Sequence, residues 1–287
     1  MRWVVVGAAG MLGTDVVARL GRLDEDVVAL GRADVDLLSP QSCAAALAGA
    51  DVVVNCAAYT AVDDAETHED EAYAVNATGA GNLARAAADA GARLVQISTD
   101  YVFDGQATTP YDEDAPTTPR SAYGRTKAAG EEAVAAAGGD HLVVRTAWLY
   151  GAHGACFPKT IARVALQRGA LDVVDDQHGQ PTWTVDVADV VVRLVATGAP
   201  AGTYHATSSG QATWHEFAQA VVGAAGLDPG IVAPTTSQAF VRPAPRPAYS
   251  VLGHRRLTEV GIAPIRDWRE RWAAAASQVL AESEERV

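Results

Sequence analysis

Lysine is nearly absent from this chain, which carries only Lys127 and Lys159 among 287 residues. Positive charge of any kind is scarce: 22 basic residues face 35 acidic ones, for a net charge of -13. Such a surface repels a phosphate backbone, so nucleic acid is excluded as a partner. Cysteine is also rare. Cys43, Cys56 and Cys156 are odd in number and never in C-x-x-C spacing, so neither a disulfide framework nor a structural zinc site is expected, and a reducing cytoplasm suits the chain. No apolar run approaches the roughly 20 residues that cross a bilayer, which speaks against a membrane partner. The opening Trp3-Val4-Val5-Val6 is cut short by Gly7, Gly10, Gly13 and Asp15 and reads as a buried strand, not a targeting segment.

What is present is 49% hydrophobic residues with 20% charged, the composition of a globular enzyme. Short β-branched runs alternate with alanine-rich amphipathic stretches. Trp3–Val6, Val27–Leu30, Val52–Asn55, Leu94–Ser98 and Leu142–Arg145 read as strands covered on both faces. Met11–Leu20, Ser39–Ala48, Glu69–Ala90 and Ser121–Ala137 read as the helices between them. This order predicts an α/β fold with a doubly wound, parallel, Rossmann-type sheet. After Arg145 the pattern loosens into a helix at Pro158–Arg168, a strand at Leu171–Val174 and a helix at Val185–Ala196. The proline-dense Arg242–Pro247 segment can be neither interior helix nor central strand. The division expected is a dinucleotide-binding domain of residues 1–150 plus about 176–200, and a smaller C-terminal α/β substrate lobe of about 151–175 plus 201–287.

Three motifs carry chemistry. The first, Gly7-Ala8-Ala9-Gly10-Met11-Leu12-Gly13, lies between a strand and a helix, where glycines permit a tight turn and bring a pyrophosphate close to free backbone N–H groups. A ligand-free structural turn is the competing reading. After the second strand, where NAD enzymes tend to place an acid, stand Gly31 and Arg32; an arginine there favours a 2′-phosphate, so NADPH is the preferred cofactor and NADH the possible one, unless Arg32 is merely solvated. Asp36 and Leu37 are suited to lie against adenine, although a surface role for Asp36 and a capping role for Ser39 compete.

The second motif, Tyr123-Gly124-Arg125-Thr126-Lys127, puts a phenol and an ammonium on one helix face. Such a lysine can lower the phenol's pKa and bond a ribose hydroxyl. The third, Ser98-Thr99-Asp100-Tyr101-Val102-Phe103-Asp104-Gly105, follows the fourth strand and places hydroxyls where open α/β sheets bind ligands. Taken singly, an exposed helical pair and a pair of turn residues would explain these two.

Together, a glycine-rich first turn, a hydroxyl after strand four and Y-x-x-x-K resemble the extended short-chain dehydrogenase/reductase family. The blocks Val54–Asp63, Ser98–Gly105, Arg145–Gly151, Asp176–Thr182, Trp214–Ala218 and Arg246–Ser250 are similar to its dTDP-4-dehydrorhamnose reductase branch. The resemblance implies a catalytic set of Thr99, Tyr123 and Lys127. It implies a cofactor site of Gly7, Gly10, Met11, Leu12, Gly13, Arg32, Asp36, Leu37, Ala57, Ala58, Tyr59, Thr60 and Lys127. Asp100, Tyr101, Trp148, Gln180 and Arg246 would join Thr99 and Tyr123 against the substrate, a dTDP-linked 4-keto-6-deoxysugar reduced at its ketone, with dTDP-L-rhamnose as the leading product. Arg246 would meet the diphosphate, while Arg255, Arg256, Arg266, Arg269 and Arg271 are surface partners of Glu259, Asp267 and Glu270. His178, inside a family block, is a further substrate candidate.

Some family members bind magnesium at a dimer interface. Asp15 stands at one such position, but Trp183-Thr184-Val185 offers no matching acid, so no metal is expected and the chain is a monomer or homodimer. Tyr249 replaces the family's usual asparagine. A ketoreductase for another dTDP-deoxysugar of natural-product glycosylation, and a non-catalytic nucleotide-binding regulatory subunit, are the alternatives.

Overall fold

The computed structural model describes residues 1–281; the last six positions assigned to the C-terminal lobe, 282–287, lie outside the described residues. Five strands, β1 (Arg2–Val6), β2 (Asp26–Leu30), β3 (Val52–Asn55), β4 (Arg93–Thr99) and β5 (His141–Thr146), join an edge strand at Gly202–His205 in one six-stranded sheet. All its pairings are parallel, in the order edge strand, β5, β4, β3, β1, β2. The chain goes from β1 to β2 on one side and then returns to lay β3 on the other. Their carboxyl ends therefore diverge at β1 and β3, the place where such sheets open a ligand crevice.

The valine runs alternate in function though not in polarity. Val5, Val54, Val95, Leu142 and Val144 face a helix α1 (Met11–Gly21) and the helix Thr184–Ala196 through Val16, Leu20, Val187 and Val191. Val4, Val6, Val53, Leu94 and Val143 face the opposite way, onto Leu47, Leu83, Ala84 and Ala87. Burial on both sides is why these strands read as unbroken apolar runs.

Capping sets the helix starts. Ser39 and Ser121 accept from the N–H groups of Ser42 and Gly124, so each serine stands just outside its helix, Pro40–Ala46 and Ala122–Ala137. The expected helix at Glu69–Ala90 is less regular than its periodicity: Glu69–Tyr73 leads into a π turn at Ala74–Gly79 before Ala80–Asp89.

A separate core joins Tyr150, Trp183, Phe217, Trp268 and Trp272, between the helices Phe157–Arg168, Trp214–Ala224 and Trp268–Ala281. Small parallel pairings such as Leu171–Val174 with Val232–Thr235 edge it. Arg242–Pro247 has no regular structure. Among the described residues no helix is long and apolar enough to cross a membrane.

Candidate active site

The turn from β1 into α1 is shaped by the protein's own backbone. Gly7 adopts φ +76°, and a Cβ there would lie 2.6 Å from the Ala57 nitrogen; one on Gly13 would lie 2.2 Å from the Gly7 carbonyl oxygen. Gly7 thus lets the turn seat against the residues after β3, and Gly13 lets α1 close onto the turn, whatever else binds. Gly10 differs: it is exposed, and the nearest atom to an added Cβ is 3.2 Å away. It precedes α1, whose first turn has neither a side-chain cap nor an acid. That uncapped start, with Met11 and Leu12 beside it, fits a pyrophosphate.

Around this turn, Arg32 is exposed in the loop leaving β2, which suits a 2′-phosphate partner and a merely solvated side chain alike. Asp36 is exposed and its carboxylate accepts from the Leu38 N–H at 2.9 Å. Leu37 is half-buried, its carbonyl held by Asn82 at 2.9 Å. Ala57 donates to Asn55, and Ala58, Tyr59 and Thr60 continue along the crevice rim.

Asn76 fixes that rim. It is 2% exposed, accepts from the Tyr59 N–H at 2.8 Å, and donates to the Tyr59 carbonyl at 3.1 Å and the Thr126 hydroxyl at 3.0 Å. The π turn aims this side chain, and one residue ties the loop after β3 to the helix bearing Tyr123 and Lys127. A polar residue amid a helical alanine run was its only trace in the sequence.

The helix Ala122–Ala137 and the end of β4 assemble the reactive groups. A Cβ on Gly124 would meet the Tyr101 carbonyl oxygen at 2.3 Å, so glycine beside Tyr123 lets this helix close onto the turn that follows β4. The Thr99 hydroxyl donates to Asp100 at 3.0 Å, accepts from the Tyr101 N–H at 3.2 Å, and lies near enough to the Tyr123 phenol to lower its pKa. Tyr101 meets Tyr123 edge-on, with ring centroids 5.6 Å apart. Lys127, 4% exposed, donates to the Ile97 carbonyl at 2.7 Å.

Burial dominates the electrostatics. It pushes the Tyr123 phenol up to about 12, against the Thr99 hydroxyl, which lowers it. It brings Lys127 down to about 8, although the Glu131 carboxylate resists. Asp100 is pushed up to about 6 by its own burial, and its Oδ2 has no hydrogen-bond partner. The sequence suggested that Lys127 would depress the phenol; in the folded chain the hydroxyl of Thr99 does so, and the ammonium is committed to β4.

Trp148 is half-buried with φ +45°, a conformation that a large side chain holds only under constraint. Its indole stacks on Trp214, with centroids 3.5 Å apart and planes 7° from parallel. A Cβ on Gly179 would stand 2.3 Å from the Trp148 ring. Trp3, Trp183, Trp268 and Trp272 are buried, whereas half-buried Trp214 supports Trp148.

Two expected substrate contacts have protein partners. Gln180 is 1% exposed; its amide accepts from the Thr207 hydroxyl and the Leu252 N–H, both at 2.8 Å, and donates to the Leu252 carbonyl at 3.1 Å. It braces the segment before His254. Arg246 lines a small cavity with Tyr101, Phe103 and Ser121, yet its guanidinium also lies 3.0 Å from Asp63. The remaining arginines spread further than their sequence neighbours suggested: Arg255 does meet Glu259 at 2.6 Å, but Arg271 pairs with Asp186 at 2.7 Å and Arg256 with Asp114 at 2.5 Å. Asp15 accepts from the Thr184 hydroxyl within the chain. His178 exchanges backbone bonds with Ala248 and Ser250.

A doubly wound sheet with a glycine turn at its switch point, and a hydroxyl, phenol and ammonium at the end of β4, has the architecture of a dinucleotide-dependent oxidoreductase. The model of the RmlD substrate binding domain matches residues 1–281. The chain belongs to that family.

It is 53% identical to a Streptomyces antibioticus protein named "Probable dTDP-4,6-dihydroxy-2-methyloxan-3-one 4-ketoreductase", over 98% of this chain and 96% of that one. Identity to a dTDP-4-dehydrorhamnose reductase of Streptomyces griseus is 49%, over 93% and 90% of the two chains. The crystal structure of a dTDP-4-dehydrorhamnose reductase from Bacillus anthracis in complex with NADP superposes with a TM-score of 0.91 at 35% identity, covering 96% of this chain and 98% of that one.

Proposed function

We propose that the protein reduces the 4-keto group of a dTDP-linked 4-keto-6-deoxysugar with NADPH, dTDP-4-dehydro-L-rhamnose being the substrate and dTDP-L-rhamnose the product. The observation that carries this reading is the placing of the Thr99 hydroxyl near enough to the Tyr123 phenol to lower its pKa, beside buried Lys127 and next to the glycine turn. The NADP-bound relative supports the cofactor, and Arg32 supports the 2′-phosphate form over NADH.

When bound, NADPH supplies the hydride. Tyr123 holds the proton that the carbonyl oxygen takes up as charge develops there. A phenol with pKa near 12 is still a far stronger acid than the alcohol formed, so this transfer runs downhill. Thr99 positions the oxygen once its hydroxyl, which donates to Asp100, turns onto the carbonyl. Lys127 places positive charge in a dry corner where it stabilises that developing charge, and the N–H groups it does not give to Ile97 would hold the nicotinamide ribose. Trp148 borders the sugar, and Arg246 offers a guanidinium to the diphosphate. In this reading residues 1–150 with about 176–200 hold the cofactor, and the remainder holds the sugar nucleotide.

A second reading, reduction of another dTDP-deoxysugar in natural-product glycosylation, is favoured by the 53% identical ketoreductase. Incubation with dTDP-4-dehydro-L-rhamnose and NADPH, followed by NMR of the product, tests both. dTDP-L-rhamnose is expected; turnover confined to a different 4-keto sugar selects the second reading. Absence of NADPH oxidation with any such sugar selects the non-catalytic regulatory subunit.

A further inference from the structure

The segment Arg242–Arg246 has no secondary structure to hold it, yet one carboxylate from the far side of the crevice gathers it. Asp63 follows β3 by eight positions. Its Oδ2 accepts from Arg242 Nε at 3.0 Å and, more closely, from Arg242 Nη2; it accepts also from Arg246 Nη2 at 3.0 Å. Its Oδ1 accepts from the Ala244 N–H at 3.2 Å. Asp63 and Arg246 are mostly shielded, with side chains 19% and 18% exposed, while Arg242 is 46% exposed. Although burial opposes it, the two guanidiniums and the Ala244 N–H hold the Asp63 carboxyl below its ordinary range.

Two guanidiniums bonded to one oxygen have nitrogens within about 6 Å of each other, where their repulsion is appreciable at a part-buried site. One carboxylate leaves the cluster with a net positive charge in a chain that is otherwise strongly acidic. Its place in the fold is specific: Asp63 and Arg246 both act electrostatically on the Tyr101 phenol, which packs edge-on against Tyr123. The far end of the same segment is pinned independently, by Tyr249 N–H to the Gly105 carbonyl and by the backbone exchange with His178.

We propose that Asp63 is a positioning residue that assembles Arg242 and Arg246 into a two-guanidinium clamp for the diphosphate of the sugar nucleotide. The proposal rests on the reductase reading above and adds to it a second arginine and the acid that aligns both. The bonds of Asp63 run to Arg242, Ala244 and Arg246 and not to Thr99, Tyr123 or Lys127. Neutralising it leaves two unbalanced guanidiniums to separate, so recognition weakens while chemistry persists.

The test is Asp63→Asn, which keeps the shape and removes the charge, with Asp63→Glu as the charge-restoring variant. In steady-state assays the Asn variant should raise KM for the sugar nucleotide about tenfold, with kcat and the KM for NADPH within twofold of the parent. Calorimetric affinity for dTDP alone, which needs no turnover, should fall by a similar factor, and Glu should recover part of it. Arg242→Ala should weaken dTDP binding, and adding Asp63→Asn to it should cost little more. Unchanged or tighter dTDP binding by Asp63→Asn, with NADPH affinity intact, overturns the proposal, the tighter case making Asp63 a competitor of the ligand. Absence of dTDP binding by the parent overturns the reductase reading itself.

Discussion

The two walls of the crevice are built on different principles. The reactive wall is a strand end and a helix: Thr99 closes β4, Tyr123 and Lys127 share the helix Ala122–Ala137, and a backbone carbonyl of β4 takes the ammonium. The recognition wall is an irregular, proline-rich segment whose inner side is held by side chains remote in sequence, with 179 residues separating Asp63 from Arg242. Groups that transfer a proton need sub-ångström placement, which regular elements provide. A wall proposed to select a sugar nucleotide can instead be exchanged segment by segment, consistent with relatives of different named substrates matching the same chain along nearly its whole length.

The sharpest break of this contrast is on the reactive wall. Tyr123→Phe should lower kcat by about 10²- to 10⁴-fold while leaving NADPH affinity unchanged by fluorescence titration; retained turnover would remove the phenol as proton donor. Gly13→Ala is next. The added methyl meets the Gly7 carbonyl at 2.2 Å, so the turn must shift, and a loss of about 1–3 kcal/mol of stability with NADPH binding weakened beyond detection is expected in denaturant melts and titrations. An unaltered melt and affinity would show that the turn has slack.

Arg246→Ala, on the recognition wall, should raise the sugar-nucleotide KM by about 10- to 100-fold with a smaller change in kcat, the reverse of the Tyr123 result. Equal losses in both parameters would erase the distinction between the walls.

Lys127 gives a pH signature. Its folded-state pKa near 8 lies below the ordinary 10.5, so the folded state binds fewer protons than the unfolded one between those values. This group therefore makes stability rise with pH from about 8 to 10.5, while below 8 the full cost of burying the ammonium is present. Activity should run the other way, with NADPH KM rising above pH 8 as the charge is lost. Lys127→Met should abolish that rise, which a pH series of KM would reveal. The smallest effect is expected from Trp214→Leu: loss of Trp148's stacking partner should raise sugar KM a few-fold and remove the near-UV dichroism of the indole pair. An unchanged spectrum would show that Trp148 is held without it.

Most of the reactive wall was legible in the chain. Thr99, Tyr123 and Lys127 sit on elements whose periodicity and caps are local, so their approach follows once β4 and the helix after it are recognised. What was not legible is how these groups divide their bonds. The i, i+4 spacing of Tyr123 and Lys127 suggests a direct effect of the ammonium on the phenol, but burial and Thr99 set the phenol and Ile97 takes the ammonium. Gln180 lay in a family block with nothing local to mark it as a brace for Leu252 and Thr207. Asn76 and Asp63 escaped notice for the same reason, since each acts through partners on other elements.

By itself the sequence determined the parallel sheet, the glycine turn at the end of its first strand and the elements that carry Thr99, Tyr123 and Lys127, because strand burial, turn sterics and helical spacing are encoded within a few neighbouring residues. Only the tertiary structure decided which wall each polar side chain serves. Hydrogen bonds and ion pairs such as those of Asp63, Asn76 and Gln180 join positions 17 to 183 residues apart, and no short-range pattern records a contact that exists only after the elements have packed.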